Sequence, residues 1–226
     1  MKERLDLKSI TVYVYHQHMN ASIIIAAAQL AARYHKDHTR KNNNRPYQTH
    51  LIRTAGRVAT LPGVKDADVA AAFLHDSLED IPQTLEAFER MSFEILETCG
   101  QDTLDLVLAL TNPSKRSKLT RPERKRMDRE HLAKCARRVK RIKLVDRIDN
   151  LEESILDLTL HNDRNYTFNE QYAAESELLL NEALRGADPE LELELERCIQ
   201  TLRWTCRSQK LGELKPDLRD TKRPLL

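Results

Sequence analysis

Apolar residues recur along most of the chain every three or four positions, the spacing that gives a helix one buried face. From Ser22 to about His38 the run SIIIAAAQLAARYHKDH predicts a first helix, ended by the Asn-rich KNNNRP. A second starts near Tyr47, carries His50, Ile52, Ala55 and Val58, and stops at the Pro62-Gly63 turn. Asp66 or Asp68 caps a third, which contains AAFLHDSLED and ends near Pro82, because Ile81 before proline disfavours the α conformation. Shorter patterns predict helices over Thr84–Met91 and about Asp102–Leu110.

The pattern then breaks at NPSKRSKLTRPERKR, which predicts an exposed or partly mobile connection over Asn112 to Arg126. A helix from about Pro122 runs through Arg138 into IKLVDRIDNLEESILDL, and periodicity does not locate its bend. Within it Ile142, Leu144, Val145, Ile148, Leu151 and Ile155 gather mostly on one side, while Asp146 and Asn150 share another row. Two further helices fit Asn169–Leu184 and Pro189 to about Arg207. The chain shows no internal repeat.

These elements predict a single-domain, all-α protein with an N-terminal extension at 1–20, one domain at 21–207 and a flexible tail at 208–226. Composition agrees: 226 residues suit one domain, and 40% hydrophobic with only five Gly favours helices. The net charge of +2 does not by itself imply a polyanion partner. Its distribution is uneven. Lys115 to Lys143 holds fourteen Lys or Arg against three acids, and Glu170 to Arg197 nine acids against two Arg. Without interleaved aromatics, the basic stretch suits a solvated helix face or an electrostatic funnel for an anionic small molecule better than a nucleic-acid surface.

Cys99, Cys135, Cys198 and Cys206 are far apart, with no CxxC pair, which suggests neither a zinc knuckle nor a disulfide framework. The N-terminus lacks a secretory h-region, and SIIIAAAQLAA is well short of the ~20 residues that span a bilayer. A cytoplasmic protein without a membrane partner is expected.

The segment AAFLHDSLED carries the chemistry. On a continuous helix His75 and Glu79 share one row and Asp76 and Asp80 the next, so the four form a patch that resists burial unless protonated, paired or bound to a cation. With His50 from the preceding helix and Asp146 from a later one, the doublet makes a mixed N/O site suited to Mn²⁺, Fe²⁺, Zn²⁺ or Mg²⁺. Glu79 and Asp80, one turn on, are placed for acid/base work. His35, Lys36, His38, Arg40, Lys41 and Arg45 add cations that a phosphate-rich substrate requires, and His35 with His38 has the spacing to chelate a second metal.

The set His50, HD at 75–76, ED at 79–80 and IKLVDRIDNL around Asp146, with HKDHTRK, PYQTH, DLVLALT and PERKR, resembles the HD-type hydrolase domain of RelA/SpoT homologues. It is most similar to the small stand-alone hydrolases of the metazoan SpoT homologue type, over about Ala26 to Gln200. The resemblance implies an all-helical, Mn²⁺-dependent hydrolase that removes the 3′-pyrophosphate of the stringent-response alarmones ppGpp and pppGpp, giving GDP or GTP and pyrophosphate. It implies His50, His75, Asp76 and Asp146 as metal ligands, and Glu79 and Asp80 as the acidic pair that positions water and assists the leaving group. Arg40 or Lys41 would flank the guanine, Asn150 would hold the ribose or its phosphates, and Tyr172 would join the substrate wall.

Three departures bear on the base rather than on hydrolysis: NNNRPY in the loop, Cys99-Gly100 where the family usually has Phe-Gly, and Glu153 where bacterial relatives often offer a hydroxyl. An adenine alarmone stays open, as do another nucleotide substrate and a nucleotide or RNA sensor without turnover. No synthetase or regulatory domain is expected.

Overall fold

A chain whose longest apolar pattern lies in IKLVDRIDNLEESILDL should build its core around that segment, and it does. In the computed structural model, which describes residues 23–41, 43–160 and 164–214, the helix Arg137–Leu160 (α8) is the axis of the fold. It packs along a C-terminal helix, Pro189–Leu214 (α10), and against Gln48–Ala59 (α2). Helix α2 in turn lies on Asp66–Leu74 (α3), and α3 on Gln101–Leu110 (α6). A helix over 23–34 (α1) precedes these elements. Among the described residues there is no strand, only an isolated bridge between Thr39 and Pro46, so the expected all-α fold holds.

The position of α8 decides what it buries. Leu144, Val145, Ile148 and Leu151 are fully excluded from solvent, but Lys143, Asp146, Arg147, Asp149, Glu153 and Asp157 are buried too. A helix with partners on several sides hides its polar rows as well as its apolar one. Those polar groups must then find bonds to one another or to a ligand.

Several boundaries differ from the sequence expectation. The third helix is not continuous: α3 ends at Leu74, His75 and Asp76 form a turn, and a short α4 covers Ser77–Asp80. The His75 imidazole donates from Nδ1 to the Ala72 carbonyl at 2.8 Å. In an unbroken helix that carbonyl would serve the Asp76 amide. Consequently the predicted rows His75/Glu79 and Asp76/Asp80 are not carried by one continuous helix, although the Asp80 amide still donates to the Asp76 carbonyl at 2.9 Å.

The helix expected over Thr84–Met91 extends through Leu85–Cys99 (α5), capped by Thr84, whose hydroxyl accepts from the Ala87 amide at 3.1 Å. Gly100, with φ +82°, lets the chain turn directly into α6. The long basic helix is two: Arg121–Ala133 (α7), started by a Thr120–Glu123 capping box, and α8. Tyr166–Leu179 (α9) passes into a π-helical turn, Leu180–Leu184. Helix α10 continues past Arg207 to Leu214. The N-terminal extension and residues 215–226 lie outside the described residues.

The basic connection is also more structured than its composition suggests. Ser114 is buried, and its amide donates to the buried carboxylate of Asp128 at 3.3 Å. Together with α7, it forms a wall facing α8.

Candidate active site

The break at His75 and Asp76 turns both side chains toward α2 and α8. His50 Nε2 lies 3.3 Å from His75 Nε2, 3.7 Å from Asp76 Oδ2 and 3.4 Å from Asp146 Oδ1. His75 Nε2 is 3.0 Å from Asp76 Oδ2 and 3.5 Å from Asp146 Oδ1. Ligand atoms about 2.1 Å from a first-row ion stand roughly 3.0 to 3.4 Å apart in octahedral or tetrahedral arrays. His50, His75 and Asp76 lie close enough to share one ion, and Asp146 Oδ1 adjoins both imidazoles.

Proton placement points the same way. His50 Nδ1 lies 2.6 Å from Asp149 Oδ2, and His75 Nδ1 faces the Ala72 carbonyl. Each ring directs Nδ1 outward as a donor, so Nε2 is the atom left facing inward, where a cation that displaces its proton would meet a lone pair. Two Nε2 atoms and two carboxylates converging in a buried space call for a cation.

The carboxylates are held as well. Tyr47 donates its hydroxyl to Asp76 Oδ2 at 2.6 Å. Asn150 donates to Asp146 Oδ1 at 2.6 Å, and the Lys143 ammonium lies 2.7 Å from Asp146 Oδ2. Arg53 grips Asp149 at 2.6 and 2.9 Å.

The electrostatics match this charge density. Burial would lower the pKa of His75, but the carboxylates of Asp76 and Asp146 override it and raise it well above its ordinary value. Burial would raise that of Asp146, yet Lys143 and the two imidazoles hold it far down. Glu79 goes the other way. Burial and the nearby Asp76 charge raise its pKa, so its proton is held more tightly.

Beside this cluster opens a cleft of ≈ 500 Å³ that follows α8 from Lys143 to Asp157. Glu79 and Asp80 line it, 3.8 and 2.5 Å from Lys115 Nζ; Glu79 also accepts from the Asn112 amide at 3.2 Å. They stand beside the His/Asp cluster and outside it. Arg40 donates to Asn150 Oδ1 at 2.6 Å, pairs with Glu153 at 2.6 Å, and lies 5.3 Å from the Tyr47 ring centre. Lys41 is exposed at the rim, and Tyr172 forms wall, stacked on Phe168 and covered by the Arg147 guanidinium.

His50, His75, Asp76, Asp146, Glu79, Asp80, Arg40, Lys41, Asn150 and Tyr172 therefore line this one cleft or its centre, whereas Lys36 and Arg45 from the basic loop do not. His35 and His38 stay apart from it as a pair with Nδ1 atoms 3.3 Å apart, and no acid or cysteine among the described residues completes a metal set there.

Residues 27–166 match the HD-domain family. The chain belongs to that family. The guanosine-3′,5′-bis(diphosphate) 3′-pyrophosphohydrolase MESH1 of Xenopus tropicalis is 35% identical to this HD-domain protein over 136 residues, 59% of this chain and 70% of that one. The protein of the same name from Drosophila melanogaster is 32% identical over 172 residues, 74% and 88% of the two chains. A solved structure, described as a metazoan ortholog of SpoT that hydrolyzes ppGpp, superposes with a TM-score of 0.64 at 26% identity. It covers 79% of this chain and 94% of that one. The resemblance carried by the motifs thus stands.

Sequence reasoning left several residues of this HD domain without a role. Tyr47 sits in PYQTH, three before His50, and Asp149 sits in DRIDN, three after Asp146. Their helical offset from a ligand was a usable signal. Asn43, whose amide bridges Glu153 and Asp157 at 3.0 Å each, carried none, because the loop had no helical register to read.

Proposed function

We propose that this protein is a cytoplasmic, Mn²⁺-dependent hydrolase of the alarmones ppGpp and pppGpp, releasing pyrophosphate from the 3′ position and leaving GDP or GTP. The observation that carries the reading is the junction of an N/O metal cluster with Glu79 and Asp80, in a cleft lined by cations. The relatives bearing the pyrophosphohydrolase name support the substrate.

Imidazole and carboxylate donors without a thiolate fit Mn²⁺, held by His50, His75, Asp76 and Asp146. When bound, the cation supplies Lewis-acid stabilisation of phosphoryl charge. The remaining work falls to the chain. A pyrophosphate ester resists hydrolysis because its negative oxygens repel the nucleophile, so cations must gather it and a carboxylate must orient water. Asp80 and Glu79 take that place. The water oxygen bonds to phosphorus, the bond from phosphorus to the ribose 3′ oxygen breaks, and that oxygen takes up a proton. Glu79, with its raised pKa, is the member suited to hold one. Arg40 and Lys41 would flank the base, Asn150 would hold the ribose while positioning Asp146, and Tyr172 would close the wall.

The test is product analysis by anion exchange after incubation with ppGpp, pppGpp and their adenine counterparts, each with Mn²⁺ and with chelator. Pyrophosphate released only with metal is the expected result, and the ranking of bases settles the guanine or adenine preference that the altered loop leaves open. No turnover of any of the four, with metal bound, would move the assignment to another nucleotide or to a sensor.

A further inference from the structure

Three cations converge at one end of the cleft. Lys125, Lys143 and Arg147 line both the cleft and a recess of ≈ 20 Å³ behind it. Lys143 and Arg147 are only 7% and 8% exposed, and cations so buried need partners. Lys143 has Asp146. Arg147 reaches Ser176 Oγ at 3.5 Å and lies over the Tyr172 ring, but its Nε is buried without a hydrogen-bond partner. Lys125 makes no ion pair among the described residues. Two acids nearby offset part of this charge: Asp128, whose carboxylate accepts from the Ser114 amide, and Glu175, which is shared with both arms of Arg121. The positive side still prevails at Lys125, whose pKa is lowered to about 8 by burial and then by Arg147 and Lys143, against the opposing pull of Glu175 and Asp128.

The recess has room for about one water; an anion must lie on the cleft side. Helix α8 sets the order of groups along that side. At about 1.5 Å per residue, Lys143 is roughly 15 Å from Glu153, where Arg40 is held. Asp146 lies between them, one turn from Lys143. A phosphorus atom beside the metal cluster therefore leaves the nucleoside toward Arg40 and any further phosphate toward Lys143, Lys125 and Arg147.

Resting on the alarmone reading, we infer that Lys125, Lys143 and Arg147 form a subsite for the outer phosphate of the 3′-pyrophosphoryl group, the part of the substrate that a 3′-monophosphate lacks. Lys125 is the member that can be changed without breaking a bond in the protein.

The experiment measures affinity in the Glu79→Gln background, with Mn²⁺, for guanosine 5′-diphosphate carrying either a 3′-diphosphate or a 3′-monophosphate. Adding Lys125→Met should weaken the 3′-diphosphate about tenfold, the scale of one charge-assisted contact, and leave the 3′-monophosphate within about twofold. Lys125→Arg should restore the difference. Equal losses for both ligands, or no loss for either, would overturn the subsite. The wild-type protein separates the two ideas: turnover of ppGpp with an unchanged ligand ratio in Lys125→Met sinks only the subsite, whereas no binding or turnover of ppGpp sinks the alarmone reading beneath it.

Discussion

His50 Nδ1 and Asp149 Oδ2 are 2.6 Å apart across the packed faces of α2 and α8, with Arg53 holding the same carboxylate from the outside. The contact fixes the tautomer of His50 and thereby aims its Nε2 into the cluster. Asp149→Asn keeps the shape but cannot satisfy both neighbours: an amide oxygen turned to His50 puts the NH₂ against the Arg53 donors. Metal affinity should fall about tenfold or more, as for other partners behind a metal ligand. Titration of Mn²⁺ into metal-free protein measures this directly, and an unchanged affinity would mean that Asp149 serves packing alone.

The ligands and the acidic pair should separate cleanly. His75→Ala or Asp146→Ala removes a donor from the cluster and should abolish metal binding and turnover together. Glu79→Gln removes none, and should retain metal while losing turnover by about 100-fold or more, the scale of a positioned acid or base. Paired metal analysis and rate measurements on each variant decide it. Hydrolysis at the wild-type rate by Glu79→Gln would remove Glu79 from the mechanism.

How far the sequence discloses this site follows from where each residue sits. His50, His75, Asp76 and Asp146 are legible because each is polar chemistry inside or beside an apolar helical run, and such residues need a reason to be there. That Asp149 stands behind His50 depends on a pairing between α2 and α8 across 99 residues, so the offset of Asp149 from Asp146 marked it as near the site without naming its partner. The break after Leu74 was hidden for another reason: it is made by a side chain, His75, taking a backbone carbonyl, while the Ala-rich run around it favours an unbroken helix. The basic segment misled through composition. Lys125, Lys143 and Arg147 look like solvated charges in one dimension, and only the packing of α7 against the π-helical turn beside α8 brings them inside.

Gly100 gives a stability prediction independent of the chemistry. Its φ of +82° joins α5 to α6, and a built Cβ meets nothing within 4 Å, so Gly100→Ala is penalised by backbone conformation alone. With ψ at 169° the backbone lies in a region that is essentially glycine-only, so a loss of about 1–3 kcal/mol is expected, with metal affinity unchanged. Denaturant unfolding of metal-free protein would show it; no loss would mean that the turn relaxes to negative φ.

The ammonium of Lys125 supplies a pH signature. Burial, Arg147 and Lys143 lower its pKa to about 8, against an ordinary value of 10.5. Lowering means that the charge is present below pH 8 and lost above it, about two units sooner than for an exposed lysine. If this charge draws in the anionic substrate, kcat/KM, which reports the free enzyme, should fall as pH rises from 7 to 9. The fall should approach about tenfold, the scale of one charge-assisted bond. Lys125→Arg stays cationic throughout this range, so the ratio of wild type to Lys125→Arg isolates the lysine from metal hydrolysis and from titration of the nucleotide. A ratio that declines with a midpoint near 8 is the expected result. A flat ratio would mean either that Lys125 never meets the substrate or that its charge persists. Substrate affinity of Lys125→Met at pH 7 distinguishes these: no loss there removes Lys125 from the site, and a loss of about tenfold keeps it in place with an ordinary pKa.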